Sequence, residues 1–192
     1  MAINKTRCIG CQTCVFACKM QNGVPKDLRW NRVVTEGGGV ADDAQGEYPN
    51  LTRSYLPLAC QRVCPTGATY KDELGRVEID YDKCIGCRMC MAACPYNARS
   101  FNWDEPVHVP DFAYGDANVE GRVRGVAEKC TLCKERTDQG EEPRCVQCCP
   151  MDARIFGDLD DPDSEVSKVI RARGGRVLLE EQGTRPQVYY FE

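Results

Sequence analysis

Several things are missing from this 192-residue chain, and each absence removes a class of function. No run of about 18 apolar residues occurs, so no segment is expected to cross a membrane as a helix. Met1-Ala2-Ile3-Asn4-Lys5-Thr6-Arg7 leads straight into the first cysteine, without a charged stretch followed by an apolar one, so no signal peptide is expected. No Cys-x-x-Cys-His is present, which excludes covalent haem attachment. Gly37-Gly38-Gly39 lacks the glycine continuation and helix start of a dinucleotide fingerprint. Asp158 to Ser164 lacks a glutamate at the distance a calcium loop needs, and reads instead as the cap of a helix Glu165 to Arg173 closed by Gly174-Gly175. Histidine is almost absent. The single one, His108, sits in a proline-flanked stretch and is expected to be solvated. No pattern reads as a catalytic acid-base pair or an activated nucleophile, so on its own the protein is not expected to be an enzyme. A formal net charge of −4 disfavours nucleic acid as a partner.

Cysteine, by contrast, is abundant, with fifteen residues. Cys8-x2-Cys11-x2-Cys14-x3-Cys18 and Cys84-x2-Cys87-x2-Cys90-x3-Cys94-Pro95 have the spacing of a loop that wraps a 4Fe-4S cubane. Three thiolates two residues apart reach three iron corners, and the fourth cysteine serves a neighbouring cluster. Cys130-x2-Cys133-x11-Cys145-x3-Cys149-Pro150 is a spread-out version of the same run. Zinc sites use separated Cys-x2-Cys pairs and have no use for three cysteines in one tight loop. A disulfide framework fits an odd count and repeated x2 spacing badly. The chain is therefore expected to carry electrons. With so many thiols engaged as ligands the apolar core is small, and the protein without iron is expected to fold poorly.

Crossed ligation assigns the sets. Cys8, Cys11, Cys14 and Cys149 form the first site; Cys130, Cys133, Cys145 and Cys18 the second; Cys84, Cys87, Cys90 and Cys64 the third. Cys60 and Cys94 remain for an incomplete fourth site. Cys148, inside the x3 spacer, is expected to point away from the cluster that Cys149 serves and to pack as a small hydrophobe. Lys19, Arg62, Lys83, Arg88, Lys129 and Lys134 stand beside cysteines. They read either as solvated surface or as cations that favour the reduced, more negative cluster; Lys19, Arg62, Arg88 and Lys129 are the candidates for such tuning. Trp30 and Trp103 follow cluster loops, and core packing is their default role.

Cys-Pro-x-x-Ala occurs three times, at Cys64, Cys94 and Cys149, and marks each exit from a ligand loop. Proline disfavours helical geometry at the preceding cysteine, so the chain should turn or extend there. Gly75-Arg76-Val77-Glu78-Ile79-Asp80 alternates like a short strand feeding the next loop. Short helices are expected around Val15 to Gln21 and Leu132 to Thr137, with strands near Arg32 to Thr35 and Thr52 to Leu56. Residues 35 to 49 and 104 to 125, rich in Gly, Asp, Pro and Asn, read as surface connections.

These motifs, with Glu47-Tyr48-Pro49-Asn50-Leu51, Cys64-Pro65-Thr66-Gly67-Ala68-Thr69-Tyr70, Phe156-Gly157-Asp158-Leu159, Asp161-Pro162 and Gln182-Gly183-Thr184-Arg185-Pro186, resemble the four-cluster iron-sulfur subunits of molybdopterin oxidoreductases of the dimethyl sulfoxide reductase superfamily, especially the polysulfide, thiosulfate and tetrathionate reductase type. The resemblance implies an α+β fold of two fused bacterial-type ferredoxin modules, one inserted in the other, with short strands, short helices and long loops around the clusters. Residues 1–50 with 110–192 would form the outer module and 51–109 the inserted one. It also implies docking on a large catalytic subunit that holds the molybdenum or tungsten pterin, and on a membrane-anchor subunit that exchanges electrons with quinone, at the cytoplasmic face or after export with a signal-bearing partner. A free-standing polyferredoxin and a hydrogenase or formate dehydrogenase electron subunit are the alternative readings. One motif departs from the family. Its second run reads Cys-x2-Cys-x4-Cys-x3-Cys-Pro, whereas Cys60-Gln61-Arg62-Val63-Cys64-Pro65 has only two cysteines. With Glu47 to Leu51 as anchor, the gap follows Gln61; aligned by spacing instead, Thr52 and Tyr55 fill the vacant positions. Either way the fourth cluster loses two ligands, and three are expected.

Overall fold

The computed structural model describes residues 1–34, 51–53, 59–108, 112 and 114–192. Its elements are short, as expected where ligand loops interrupt the chain. Strands β1 (Ala2–Asn4), β2 (Arg32–Val34), β3 (Leu51–Arg53), β4 (Thr69–Lys71), β5 (Val77–Ile79), β6 (Ser100–Phe101), β7 (Ala127–Glu128), β8 (Arg154–Ile155) and β9 (Tyr189–Phe191) alternate with helices α1 (Thr13–Gln21), α2 (Ala59–Arg62), α3 (Met89–Ala92), α4 (Lys134–Thr137), α5 (Arg144–Gln147) and α6 (Glu165–Arg173). The fold is α+β. Helices near Val15, Lys134 and Glu165, and strands near Arg32, Thr52 and Val77, stand where the sequence puts them; residues 54 to 56 of the expected Thr52–Leu56 strand and residues 35 to 50 lie outside the described residues.

Pairing of the strands explains how distant cysteines meet. β1, which leads into the Cys8 loop, lies antiparallel to β8, which leaves Cys149, with Ala2 opposite Ile155. β9 flanks β1 in parallel, giving the order β8-β1-β9. β5, which leads into the Cys84 loop, lies antiparallel to β4, which leaves Cys64, with Thr69 opposite Ile79. The two junctions share one further bond: Asn4 N–H donates to the Ala153 carbonyl and Asp80 N–H to the Ala68 carbonyl, each at 2.8 Å. In both, the alanine that ends Cys-Pro-x-x-Ala is stitched to the residue at the end of the incoming strand.

Apolar burial is divided among small groups. The largest gathers Met1, Ile3, Val15, Val33, Leu132, Val146, Val188 and Tyr190 with Cys14 and Cys145. A second joins Cys60, Val77, Cys90, Phe101 and Ala127. α6 closes over Ala2 and Phe191 through Val166, Val169 and Ile170. Its Ser164 cap accepts from Ser167 N–H, and Gly174 leaves the helix at φ +62°, the left-handed end that favours glycine.

A polar seam joins residues 72–82 to 120–138. Glu128 is fully buried and accepts from Asn102 Nδ2 at 2.6 Å and Trp30 Nε1 at 3.2 Å. The Arg122 guanidinium lies over the Trp30 and Tyr81 rings and donates to Tyr81 Oη. Arg76 spans Asp72 at 2.5 Å and Asp138 at 2.7 Å. β6 pairs with β7 across the same seam. The exit from Cys94 is thereby held against the approach to Cys130.

Candidate metal centre

Two ligand loops share one backbone shape, and the third varies it. Gly10 and Gln12 in the first and Gly86 and Arg88 in the third stand two apart, Leu132 and Cys133 in the second stand side by side, and all have φ between +53° and +71°. Left-handed residues within a turn help to aim backbone N–H groups to one side, a concavity suited to anionic sulfur. Leu132 N–H indeed points at Cys130 Sγ, 3.4 Å away. The three Cys-Pro-x-x-Ala exits repeat a second shape. Gly67, Asn97 and Asp152 sit at φ +68°, +52° and +45°, and each donates its N–H to the carbonyl of its cysteine. Ala98 N–H then meets Cys94 Sγ and Ala153 N–H meets Cys149 Sγ, while at Cys64 the bond comes from Thr69 N–H, all at 3.4 Å.

Around these turns the cysteines gather. Cys8, Cys11, Cys14 and Cys149 line one hollow of about 340 Å³, its mouth included, roofed by Ile9, Val33, Met151 and Arg154. Cys64, Cys84, Cys87 and Cys90 line another of about 330 Å³ with Thr66, Ile85 and Arg88. Each hollow is open on one side, where Cys11 and Cys87 are exposed. The second set lies deeper. Cys18, Cys133 and Cys145 are buried, and the Asn22 amide donates towards Cys18 Sγ and Cys133 Sγ at 3.6 and 3.8 Å. Burial first, then the neighbouring thiols, pushes the Cys18 thiol well up and Cys133 to about 12. Such thiols ionise only beside positive charge, which bound iron supplies. At Cys64 burial acts upward too, but Thr69 N–H and the Thr66 hydroxyl outweigh it and bring the thiol down to about 7. Among the described residues no three Cys, His, Asp or Glu side chains are drawn together for a single metal ion; the sulfurs surround hollows, which suits a larger group.

Cys60 and Cys94 are different. Cys60 is fully buried with Val77, Cys90 and Phe101, and Arg99 Nη2 donates to its sulfur at 2.9 Å. Cys94 packs with Tyr96, Ala98 and Leu178 in a separate apolar group. The two thiols lie in two different apolar groups, and one of them stands against a guanidinium.

Models of known families match three stretches: a 4Fe-4S binding domain at residues 5–21, another at 77–100, and a 4Fe-4S dicluster domain at 116–159. Among the relatives, a putative iron-sulfur subunit of dimethyl sulfoxide reductase from Halobacterium salinarum is 53% identical over 205 residues, covering 100% of this chain and 78% of the relative. A selenate reductase subunit from Mesobacillus selenatarsenatis is 38% identical over 214 residues, covering 100% and 70%. One chain of the polysulfide reductase from Wolinella succinogenes is 35% identical, covering 98% and 91%. This protein belongs to the iron-sulfur, electron-transferring subunits of the dimethyl sulfoxide reductase superfamily.

Both of the first two alignments run longer than the 192 residues here, so some residues of those relatives have no counterpart in this iron-sulfur subunit. Among the described residues no helix is long and apolar enough to cross a membrane. Of the candidate basic residues, Arg88 borders the third hollow and stacks on Trp103 at 4.6 Å. Lys129 is buried beside Cys130, donating to its carbonyl at 2.6 Å. Lys19 braces the loop after α1 through the carbonyls of Pro25, Lys26 and Leu28, and Arg62 is exposed on α2. Trp30 is buried next to Cys18, but Trp103 is 59% exposed, so the expectation of core packing fails there: Arg88 covers one face and Phe101 meets the ring edge-on, leaving the rest to solvent. Cys148 packs against the core group that contains Cys14 and Cys145, and burial, with those thiols, pushes it up to about 11. His108 is exposed, against Tyr114 Oη at 2.8 Å.

Two buried arginines are not singled out by the sequence reading. Arg154 is 4% exposed, donates to Asn31 Oδ1 and lies within electrostatic reach of both Cys14 and Cys145. Arg99 is 2% exposed. A signal for them exists, since each immediately follows a Cys-Pro-x-x-Ala repeat, where the Cys64 repeat has Thr69.

Proposed function

We propose that this subunit relays single electrons through three 4Fe-4S clusters, held by Cys8, Cys11, Cys14 and Cys149; by Cys130, Cys133, Cys145 and Cys18; and by Cys84, Cys87, Cys90 and Cys64. The observation that carries this is the pair of hollows in which three loop cysteines meet one cysteine from a distant Cys-Pro. Each bound cluster would take up and release one electron at a time. The protein's own residues position the thiolates, aim backbone N–H groups at sulfur and bury the second site. Arg154 connects the first set to the second through Cys14 and Cys145, and Lys129 leads from Cys130 towards Cys60 and Arg99. The order is therefore first, second, third, with the two outer sites open to the surface. Those ends would face the molybdopterin catalytic subunit and a quinone-linked membrane subunit or other redox partner, in a membrane-associated complex on the cytoplasmic face or exported with a signal-bearing partner. By itself the subunit catalyses nothing. Residues 1–50 with 110–192 would form the outer ferredoxin-like module, and 51–109 the inserted one.

The test is iron per chain, with EPR of the reduced protein. About twelve irons is expected, from four per cubane; about sixteen would refute the three-cluster assignment. Native purification should yield the protein with a large partner, and a stable monomer would contradict the subunit role.

A further inference from the structure

Shortly after the unassigned thiol Cys94 in sequence and beside the unassigned Cys60 in space, this chain has a buried cation. Arg99 follows Cys94-Pro95-Tyr96-Asn97-Ala98 as Arg154 follows Cys149-Pro150-Met151-Asp152-Ala153, and both turn inward from the same left-handed turn. Arg154 lies within electrostatic reach of cysteines of two sites, Cys14 and Cys145. Among the described residues Arg99 donates to Cys60 Sγ at 2.9 Å, and its Nε and Nη1, fully buried, have no hydrogen-bond partner there. A buried guanidinium with two unmet donors is costly, and it is retained where an anion faces it. Cys60 packs with Cys90, and Arg99 lies within electrostatic reach of both Cys90 and Lys129, the latter beside Cys130 and opposed by Glu78.

We propose that Arg99 takes the place of a fourth cluster as a permanent positive charge at the junction of the third and second sites, and that it sets the reduction potential there. The inference rests on the three-cluster assignment above. Adding an electron to a cluster adds negative charge, so a desolvated cation nearby favours the reduced form and raises the potential. A guanidinium keeps that charge whatever the redox state around it. Cys60, with its sulfur on Arg99, is then the arginine's counter-group and binds no iron.

The experiment is an EPR-monitored redox titration of the purified iron-loaded complex, in which the third-site signal is the one that Cys84→Ala abolishes. Arg99→Met should keep about twelve irons and shift the oxidised-to-reduced ratio of that signal at least tenfold towards oxidised, about 59 mV lower for a one-electron couple. Arg99→Lys should stay near the parent, and the first-site signal should not move. Unchanged midpoints in a fully loaded Arg99→Met protein overturn the proposal. Arg99→Gln, which keeps polarity without charge, is the second neutral variant: the same drop supports the proposal. Loss of iron from both neutral variants, with retention in Arg99→Lys, shows a structural role only and counts against it. About sixteen irons in the parent protein would refute the three-cluster assignment itself, an outcome that no shift in midpoint can imitate.

Discussion

The strand pair β1–β8 delivers Cys149 to the loop of Cys8, Cys11 and Cys14, and the pair β4–β5 delivers Cys64 to the loop of Cys84, Cys87 and Cys90. Up to this point the two regions, the outer and the inserted module proposed above, are built alike, down to the 2.8 Å bond on the closing alanine. They then diverge. In the outer region four of the five remaining cysteines, Cys18, Cys130, Cys133 and Cys145, collect in one buried place. In the inserted region Cys60 and Cys94 pack in different apolar groups, and a guanidinium holds one of them. The comparison teaches that one strand-and-turn frame serves two different surroundings. Beside the outer frame stand four further cysteines; beside the inserted one stand apolar packing and a buried guanidinium.

Iron removal should have the largest effect, and should strike both regions together. α2, α3, α4 and α5 are four residues each, far too short to persist alone, and cluster-binding loops link them. Chelation should abolish the cooperative thermal transition seen by circular dichroism. A cooperative melt surviving without iron would mean that the frame stands on its small apolar groups alone.

Single cysteines separate the regions. Cys84→Ala and Cys149→Ala should each cost one cluster, about four irons. Cys60→Ala and Cys94→Ala should cost none, and neither should Cys148→Ala. Iron loss from Cys60→Ala or Cys94→Ala would make the two regions alike in their clusters too and overturn the three-cluster assignment.

Next in size is Arg154→Met. The arginine is buried between cysteines of the first and second sites, and removing one member of a buried charged group typically costs about 3–5 kcal/mol. The outer region should lose stability in thermal melts of the loaded protein.

How much of this is legible beforehand depends on the kind of signal. Cysteine spacing is local and chemical, so the composition of each loop, the three Cys-Pro exits and the strand before Cys84 can all be read directly. The fate of Cys60 and Cys94 can be read only as a missing pair, because packing groups form between residues far apart in the chain: Cys60 with Phe101, Cys94 with Leu178. Arg99 and Arg154 look like ordinary surface arginines by type. Only alignment of the three repeats on their closing alanine puts both at one position, and only the fold shows that the position points inward.

A backbone change probes the shared loop shape more gently. Gly86 has φ +68°, and a Cβ there would stand 2.5 Å from the Gly125 carbonyl oxygen. Gly86→Ala should therefore destabilise the third site by about 2–3 kcal/mol, strain and clash together. Gly125, at φ +81° with open space around its Cβ position, should cost only about 1 kcal/mol as alanine, from the left-handed backbone alone.

The smallest expected effect tests whether α6 takes part in holding the first site. Ser164 caps α6, accepting from Ser167 N–H, and α6 lays Val166 on Ala2 and Phe191, residues of the β8-β1-β9 sheet, whose third strand has no counterpart beside the β4–β5 pair among the described residues. Ser164→Ala removes the cap and should cost about 1 kcal/mol, seen as a lower melting temperature, with iron content and midpoint potentials unchanged. The cap is more than ten residues from every proposed ligand, and the helix touches the sheet instead of a hollow. If Ser164→Ala released iron from the first site, the helix would be part of what holds Cys149 to its loop, through β1 and β8, and the two regions would differ in how their clusters are held as well as in how many they hold.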